Sequence, residues 1–137
     1  MKNLADCKPS EFLAQTNKIR KSVEKWLKHT DILNIRRRVP IGMPEITPDL
    51  SDDEKDAVTK KRKEMILAKA QENLSAILDA CLDQYPNETL EILGLCCFVE
   101  PEDIDNHPMK EYLAAVLDMI EDETVLRFFM LLMRLGK

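Results

Sequence analysis

The sequence predicts an all-α fold, and three observations carry that reading. Glycine occurs only 3 times and aromatic residues make up 5% of the chain, while Leu, Ala, Glu, Lys and Met are plentiful; that is a helix-forming composition without the aromatic enrichment of strands. Apolar residues recur at intervals of three and four rather than two. Helix-start signals precede the periodic stretches, at Pro9, at Ser51-Asp52-Asp53-Glu54 and at Asp122. The length of 137 residues fits one domain, 1–137, with a single core. Its expected form is a compact bundle of about five helices with a long, partly projecting second helix.

The first helix begins at Pro9, which suits a first helical position, with Glu11 complementing the helix dipole. Phe12, Thr16, Ile19, Val23, Trp26 and Leu27 share an arc of about 100°. Lys18, Lys21, Lys25 and Lys28 take the opposite, solvated face. Near Thr30 the pattern stops, and Asp31–Ile35 adds at most one short turn. Pro40, Pro44 and Pro48 then forbid regular helix across residues 39–50. That connecting segment still carries Val39, Ile41, Met43, Ile46 and Leu50, more apolar weight than a flexible spacer holds. It is expected to lie extended against the protein's own core or a partner's surface.

Ser51 and Glu54 form a capping box that opens the second long helix, expected to reach about Gln84. Its first half is highly charged, with Lys60, Lys61, Arg62 and Lys63 in succession, and is expected to project. From Ile66 onward, Ile66, Ala70, Leu74, Ile77, Leu78, Cys81 and Tyr85 gather on one face and are expected to pack. After a turn at Pro86, Asn87 is a candidate cap for a third helix through Val99, apolar on nearly all sides and so central. Residues 100–108 read as a loop punctuated by Pro101 and Pro108. Met109, Tyr112, Leu113, Val116, Leu117 and Ile120 form the stripe of a fourth helix. Asp122 is a candidate cap for the last, Val125–Leu135, which is apolar except at Arg127 and Arg134. Seven residues apart, those arginines fall within about 20° of each other and mark one narrow wet stripe. The rest of that cylinder needs cover, from this chain or from another.

Net charge is −5, unevenly placed: residues 1–63 carry 15 Lys/Arg against 10 Asp/Glu, and residues 64–137 carry 5 against 15. Attraction within one fold is the simplest outcome, with head-to-tail self-association or a charged partner as the others. The start of the chain shows no signal peptide, so cytoplasmic residence is expected. The C-terminal apolar run is too short for a membrane span, which needs about 20 residues.

Little here suggests catalysis. Cys7, Cys81, Cys96 and Cys97 show no paired-ligand spacing and read as reduced structural thiols, without a metal site. His29 and His107, both in predicted turns, offer no base–nucleophile pairing. Gly42, Gly94 and Gly136 are isolated, which excludes a phosphate loop or dinucleotide fingerprint. No enzyme and no cofactor are expected. Two surfaces remain as candidate sites. One is a protein-binding surface on Phe128, Phe129, Met130, Leu132 and Met133, joined by Ile41 and Met43, in which flat rings beside flexible thioethers suit an adaptable contact. The alternative is a nucleic-acid-associated regulator using Arg36, Arg37, Arg38, Lys60, Lys61, Arg62 and Lys63. Against the second stand the acidic balance and the lack of interleaved aromatics for stacking bases.

The two ends of the chain, NLADCKPSEFLAQTNKIRKSVEKWLK and CFVEPEDIDNHPMKEYLAAVLDMIEDETVLRFFMLLMRLG, resemble the tail-assembly chaperones encoded in the tail modules of prophages and long-tailed bacteriophages. The resemblance is one of overall pattern over most of the chain, excluding the middle. It implies a helical, self-associating protein without a catalytic site, working in the bacterial host cytoplasm. Such a protein keeps the tape-measure protein soluble until tail-tube subunits polymerise around it, and a longer product can arise by translational frameshifting. It assigns no binding residue.

Overall fold

The computed structural model describes residues 2–135, the side chain of Met133 excepted. Among them there is no strand: the fold is all-α, with six α-helices, two short 3-10 helices and one π turn. The chain forms two compact units, one running to Trp26 and resuming at Pro86, the other Leu27–Tyr85. No helix among the described residues is long and apolar enough to cross a membrane.

In the first unit, a 3-10 turn at Leu4–Asp6 leads into α1 (Pro9–Thr30), whose last turn enters the second unit. The unit is completed by α4 (Pro86–Cys96), α5 (Met109–Glu121) and α6 (Glu123–Leu135). The buried face of α1 is rotated from the apolar arc: Gln15 and Ser22 are buried, while Leu13 is exposed. Partners on α4 make this tolerable, because a buried polar group is stable when hydrogen-bonded. Gln15 Nε2 donates to the Leu95 carbonyl at 2.6 Å, Ser22 Oγ to Glu91 at 2.8 Å, and Trp26 Nε1 to Thr89 Oγ1 at 3.0 Å. Lys25 leaves the solvated set to pair with Glu91 at 3.2 Å. The Ser22 hydroxyl and then the Lys25 ammonium hold the Glu91 carboxyl below its ordinary range.

The core of this unit centres on Cys96, Cys97 and Tyr112, with Ile19, Ile92, Val116 and Met119 packed around them. All four cysteines are free thiols. Burial, then the neighbouring Cys97, pushes the Cys96 thiol up to about 11, and burial raises Cys97 as well. The third helix ends sooner than its sequence suggests, at Cys96, and starts at Pro86 itself, so Asn87 lies inside rather than at the cap. Its termination is a Schellman motif. Val99 N–H returns to the Gly94 carbonyl at 2.9 Å, and Phe98 N–H to Leu95 at 3.4 Å. Phe98 occupies the left-handed position, φ 56°, where glycine is usual. Gly94 permits the return: a Cβ there would meet the Val99 carbonyl oxygen at 3.0 Å and Ile104 Cδ1 at 3.3 Å. The expected loop at 100–108 contains a 3-10 helix, Pro101–Asn106. It is fastened when the Tyr112 hydroxyl donates to the Ile104 carbonyl at 2.7 Å.

In the second unit, Asp31 in the left-handed region (φ 56°) breaks α1 from the short α2 (Ile32–Arg36). Asn34 Nδ2 secures the break by donating to Asp31 Oδ1 at 2.6 Å. Next comes α3 (Asp52–Asp79), capped as predicted: Ser51 Oγ accepts from Glu54 N–H at 3.2 Å and donates to the Glu54 carboxylate at 3.0 Å. The helix continues through a π turn, Ala80–Gln84. The proline segment has no regular structure and is tied to α3 at two points. Asn73 Nδ2, buried, donates to the Arg38 carbonyl at 3.0 Å, and Arg62 Nη1 donates to the Pro44 carbonyl at 2.7 Å. The charged first half of α3 thus contributes an anchor through Arg62. The apolar second half is covered only along one edge, with Ile66, Leu74 and Leu78 about half exposed.

Candidate functional site

The site begins with how α6 is started. Asp122 is the extended residue between α5 and α6, and its Oδ1 accepts from the N–H groups of Thr124 and Val125 at 3.0 and 3.1 Å. This cap satisfies two donors that a helix start otherwise leaves free. It also sets the rotation of the segment that follows. Val125 is buried and Phe128 is half-buried, meeting Phe12 of α1 edge to face with ring centroids 5.0 Å apart. The two rings border a cleft of about 330 Å³ between the N-terminal turn, the start of α1 and α6, with Leu4 and half-buried Cys7 also on its wall.

The other described side chains of α6 are uncovered. Leu126, Phe129, Met130, Leu131, Leu132 and Leu135 range from 37% to 77% exposed. Of the residues singled out from sequence, Phe128 is therefore the inward member, and Phe129, Met130 and Leu132 face outward. The side chain of Met133 lies outside the described residues. Arg127 pairs with Glu123 one turn earlier and stays in water, as the wet stripe requires. The neighbouring helix carries an exposed apolar stripe of its own: Met109, Leu113, Leu117 and Ile120 of α5 are each at least half exposed. Exposed apolar side chains in such number on two adjoining helices suit an interaction surface.

Ile41 and Met43 belong to the second unit. Ile41, beside Gly42 at φ 74°, is 94% exposed. Met43 is half-buried in a groove of about 410 Å³ between the proline segment and α3, with Ile66, Leu74 and Ile77 among the apolar walls and Arg36, Arg38 and Lys69 as its basic members.

The basic residues of the nucleic-acid alternative fall into two sets. Arg36, Arg37 and Arg38 are exposed around the end of α2. Lys60, Lys61, Arg62 and Lys63 are consecutive on α3, so at 100° per residue they spread around most of the helix instead of forming a stripe. Arg62 is committed to the Pro44 carbonyl. The histidines are occupied: His29 stacks on Tyr85 at 5.6 Å, and His107 Nδ1 lies 3.0 Å from the Glu111 carboxylate. Among the described residues no group of three His, Cys, Asp or Glu side chains is placed to hold a metal ion.

Sequence reasoning missed the exposed stripe on α5, because its periodicity is continuous with the inner stripe of buried Tyr112 and half-buried Val116. Only the packing separates the two. It also missed the groove, whose walls come from segments far apart in the chain. Comparison with protein-family models, with curated proteins and with solved structures finds no match to this chain.

Proposed function

We propose that this chain is a tail-assembly chaperone of a bacteriophage or prophage, without catalytic activity of its own. In this reading it keeps the tape-measure protein soluble in the bacterial host cytoplasm until tail-tube subunits assemble around that client. The observation that carries the reading is the outward face of α6. Phe129, Met130 and Leu132 are exposed on a helix whose position is secured by Val125, Phe128 and the Asp122 cap. A long helical client presents a repeated apolar stripe, and a helix face rich in Met, Leu and Phe meets such stripes without demanding one sequence. Ile41 offers a second exposed apolar point with almost no role in the fold. The likeness of the two ends of the chain to tail-assembly chaperones agrees with this use of the surface.

Co-expression with the tape-measure protein encoded in the same tail module is the trial. The client should move to the soluble fraction and co-purify with the wild-type chain, and Met130→Asp should reduce both while leaving the chain folded by far-UV circular dichroism. A client that remains insoluble beside the folded wild-type chain would defeat the proposal.

A further inference from the structure

The groove of the second unit is apolar at its floor, basic at its rim and already open. Ile66, Ala70, Leu74 and Ile77 of α3 make the floor; they lie within an arc of about 80° and run about 17 Å along the helix. Val39, Pro40 and Met43 form the facing wall. Two hydrogen bonds hold that wall in place, from Asn73 Nδ2 to the Arg38 carbonyl at 3.0 Å and from Arg62 Nη1 to the Pro44 carbonyl at 2.7 Å. The space of about 410 Å³ between floor and wall therefore exists before any partner arrives. The charged members of the lining are Arg36, Arg38 and Lys69, with no carboxylate among them. Lys69 is taken by Glu72 at 3.3 Å. Arg36 and Arg38, both exposed, have no side-chain hydrogen bond or ion pair among the described residues. Two guanidinium groups beside an apolar floor are thus left to pair with carboxylates from outside.

We propose that this groove docks an acidic amphipathic helix of another protein, with apolar side chains on its inner face and Asp or Glu along the edge that meets Arg36 and Arg38. The floor matches about three turns of helix in length. A cavity of about 150 Å³ holds a benzene-sized group, so this one takes two or three side chains the size of leucine. The exposures select the class of occupant. Val39, Ile66 and Leu74 are 67%, 49% and 56% exposed, so the groove stays open on one side and whatever fills it keeps a face in water. An acyl chain would leave much of its length wet there, whereas an amphipathic helix turns a polar face outward. A nucleic-acid backbone would engage the arginines and leave the apolar floor unfilled. Carboxylates opposite Arg36 and Arg38 guide the incoming helix and fix its register. The groove lies within the second unit, and the proposal does not rest on the chaperone reading.

Fluorescence anisotropy tests it with a labelled helical peptide of about 14 residues, carrying leucine at i, i+4, i+7 and i+11 and glutamate between, set against a twin with lysine for glutamate. The wild-type chain should bind the glutamate peptide at least about tenfold more tightly than the lysine twin, and less tightly as salt rises. Arg36→Glu with Arg38→Glu should reverse that preference. Leu74→Glu should weaken binding of the glutamate peptide at least about tenfold. All three side chains are exposed, so both variants should stay folded by circular dichroism. Should Leu74→Glu disturb the fold, Ala70→Trp, which fills the floor from an exposed position, replaces it. No binding of the glutamate peptide up to about 1 mM, or a folded double-arginine variant that keeps the wild-type preference, would overturn the proposal. So would displacement of the peptide by a single-stranded oligonucleotide at about 0.15 M salt, which assigns the groove to nucleic acid. Self-association abolished by the same groove variants would also overturn it, by assigning the groove to a second copy.

Discussion

Replacing Ile41 with aspartate separates a docking role from a folding role more cleanly than any other single change in this chain. Ile41 is 94% exposed and sits beside a turn glycine, so its side chain contributes almost nothing to the folded state. Fully burying an isoleucine is worth about 1.5–3 kcal/mol, and nearly all of that gain is still open to a partner. Ile41→Asp should shift the unfolding free energy by no more than about 0.5 kcal/mol, the ordinary range for surface changes. Affinity for a partner that covers the position should fall about ten- to 150-fold. Urea unfolding of the isolated chain gives the first quantity, and calorimetric titration with the tape-measure protein gives the second. A loss of stability above about 1 kcal/mol would mean the position is packed in solution. Unchanged affinity would remove the proline segment from the docking surface.

Three further predictions concern the scaffold. Gly94→Ala should destabilise by about 1–3 kcal/mol, because the new methyl group meets a backbone carbonyl at 3.0 Å and a backbone atom cannot swing aside; an unchanged urea midpoint would contradict the close return at Val99. Glu91, its carboxyl lowered first by the Ser22 hydroxyl and then by Lys25, contributes stability that is present above the unfolded pKa of about 4.3 and lost as pH falls through the lowered folded value. With its side chain 39% exposed, screening limits the contribution to about 1 kcal/mol, and Glu91→Gln should erase it at neutral pH while matching the wild type at low pH in denaturation curves. At pH 8, a thiol-titrating disulfide reagent should modify half-buried Cys7 first, with buried Cys81, Cys96 and Cys97 slow; equal rates for all four would contradict the packing around Cys96 and Cys97.

Local signals in the sequence proved easy to read where local chemistry decides the outcome. Pro9, the Ser51–Glu54 box and the Asp122 cap each act through atoms within a few residues, and the structure places all three as expected. The end of α4 was not legible in the same way. Phe98 gives no hint of a left-handed cap, and the motif forms because Gly94 lets the chain return against Ile104, a tertiary requirement. The polar edge of the buried face of α1 was not legible either: Gln15 and Ser22 lie beside the apolar arc and are buried because Leu95 and Glu91 supply their partners from 80 and 69 residues away. For α6, the sequence shows that the cylinder needs cover nearly all round, and the fold decides which part receives it. Val125 and Phe128 are covered, whereas Phe129, Met130 and Leu132 are not.

Hydrogen exchange of the chain with and without the tape-measure protein tests the docking claim at the level of residues. The account predicts that the client slows exchange in α6, over residues 126–135, and in residues 39–46 of the proline segment. The capped first turn of α6 and the α1–α4 contacts should change little. Protection confined to α1 or to the charged first half of α3, with α6 exchanging as fast as in the free chain, would contradict it.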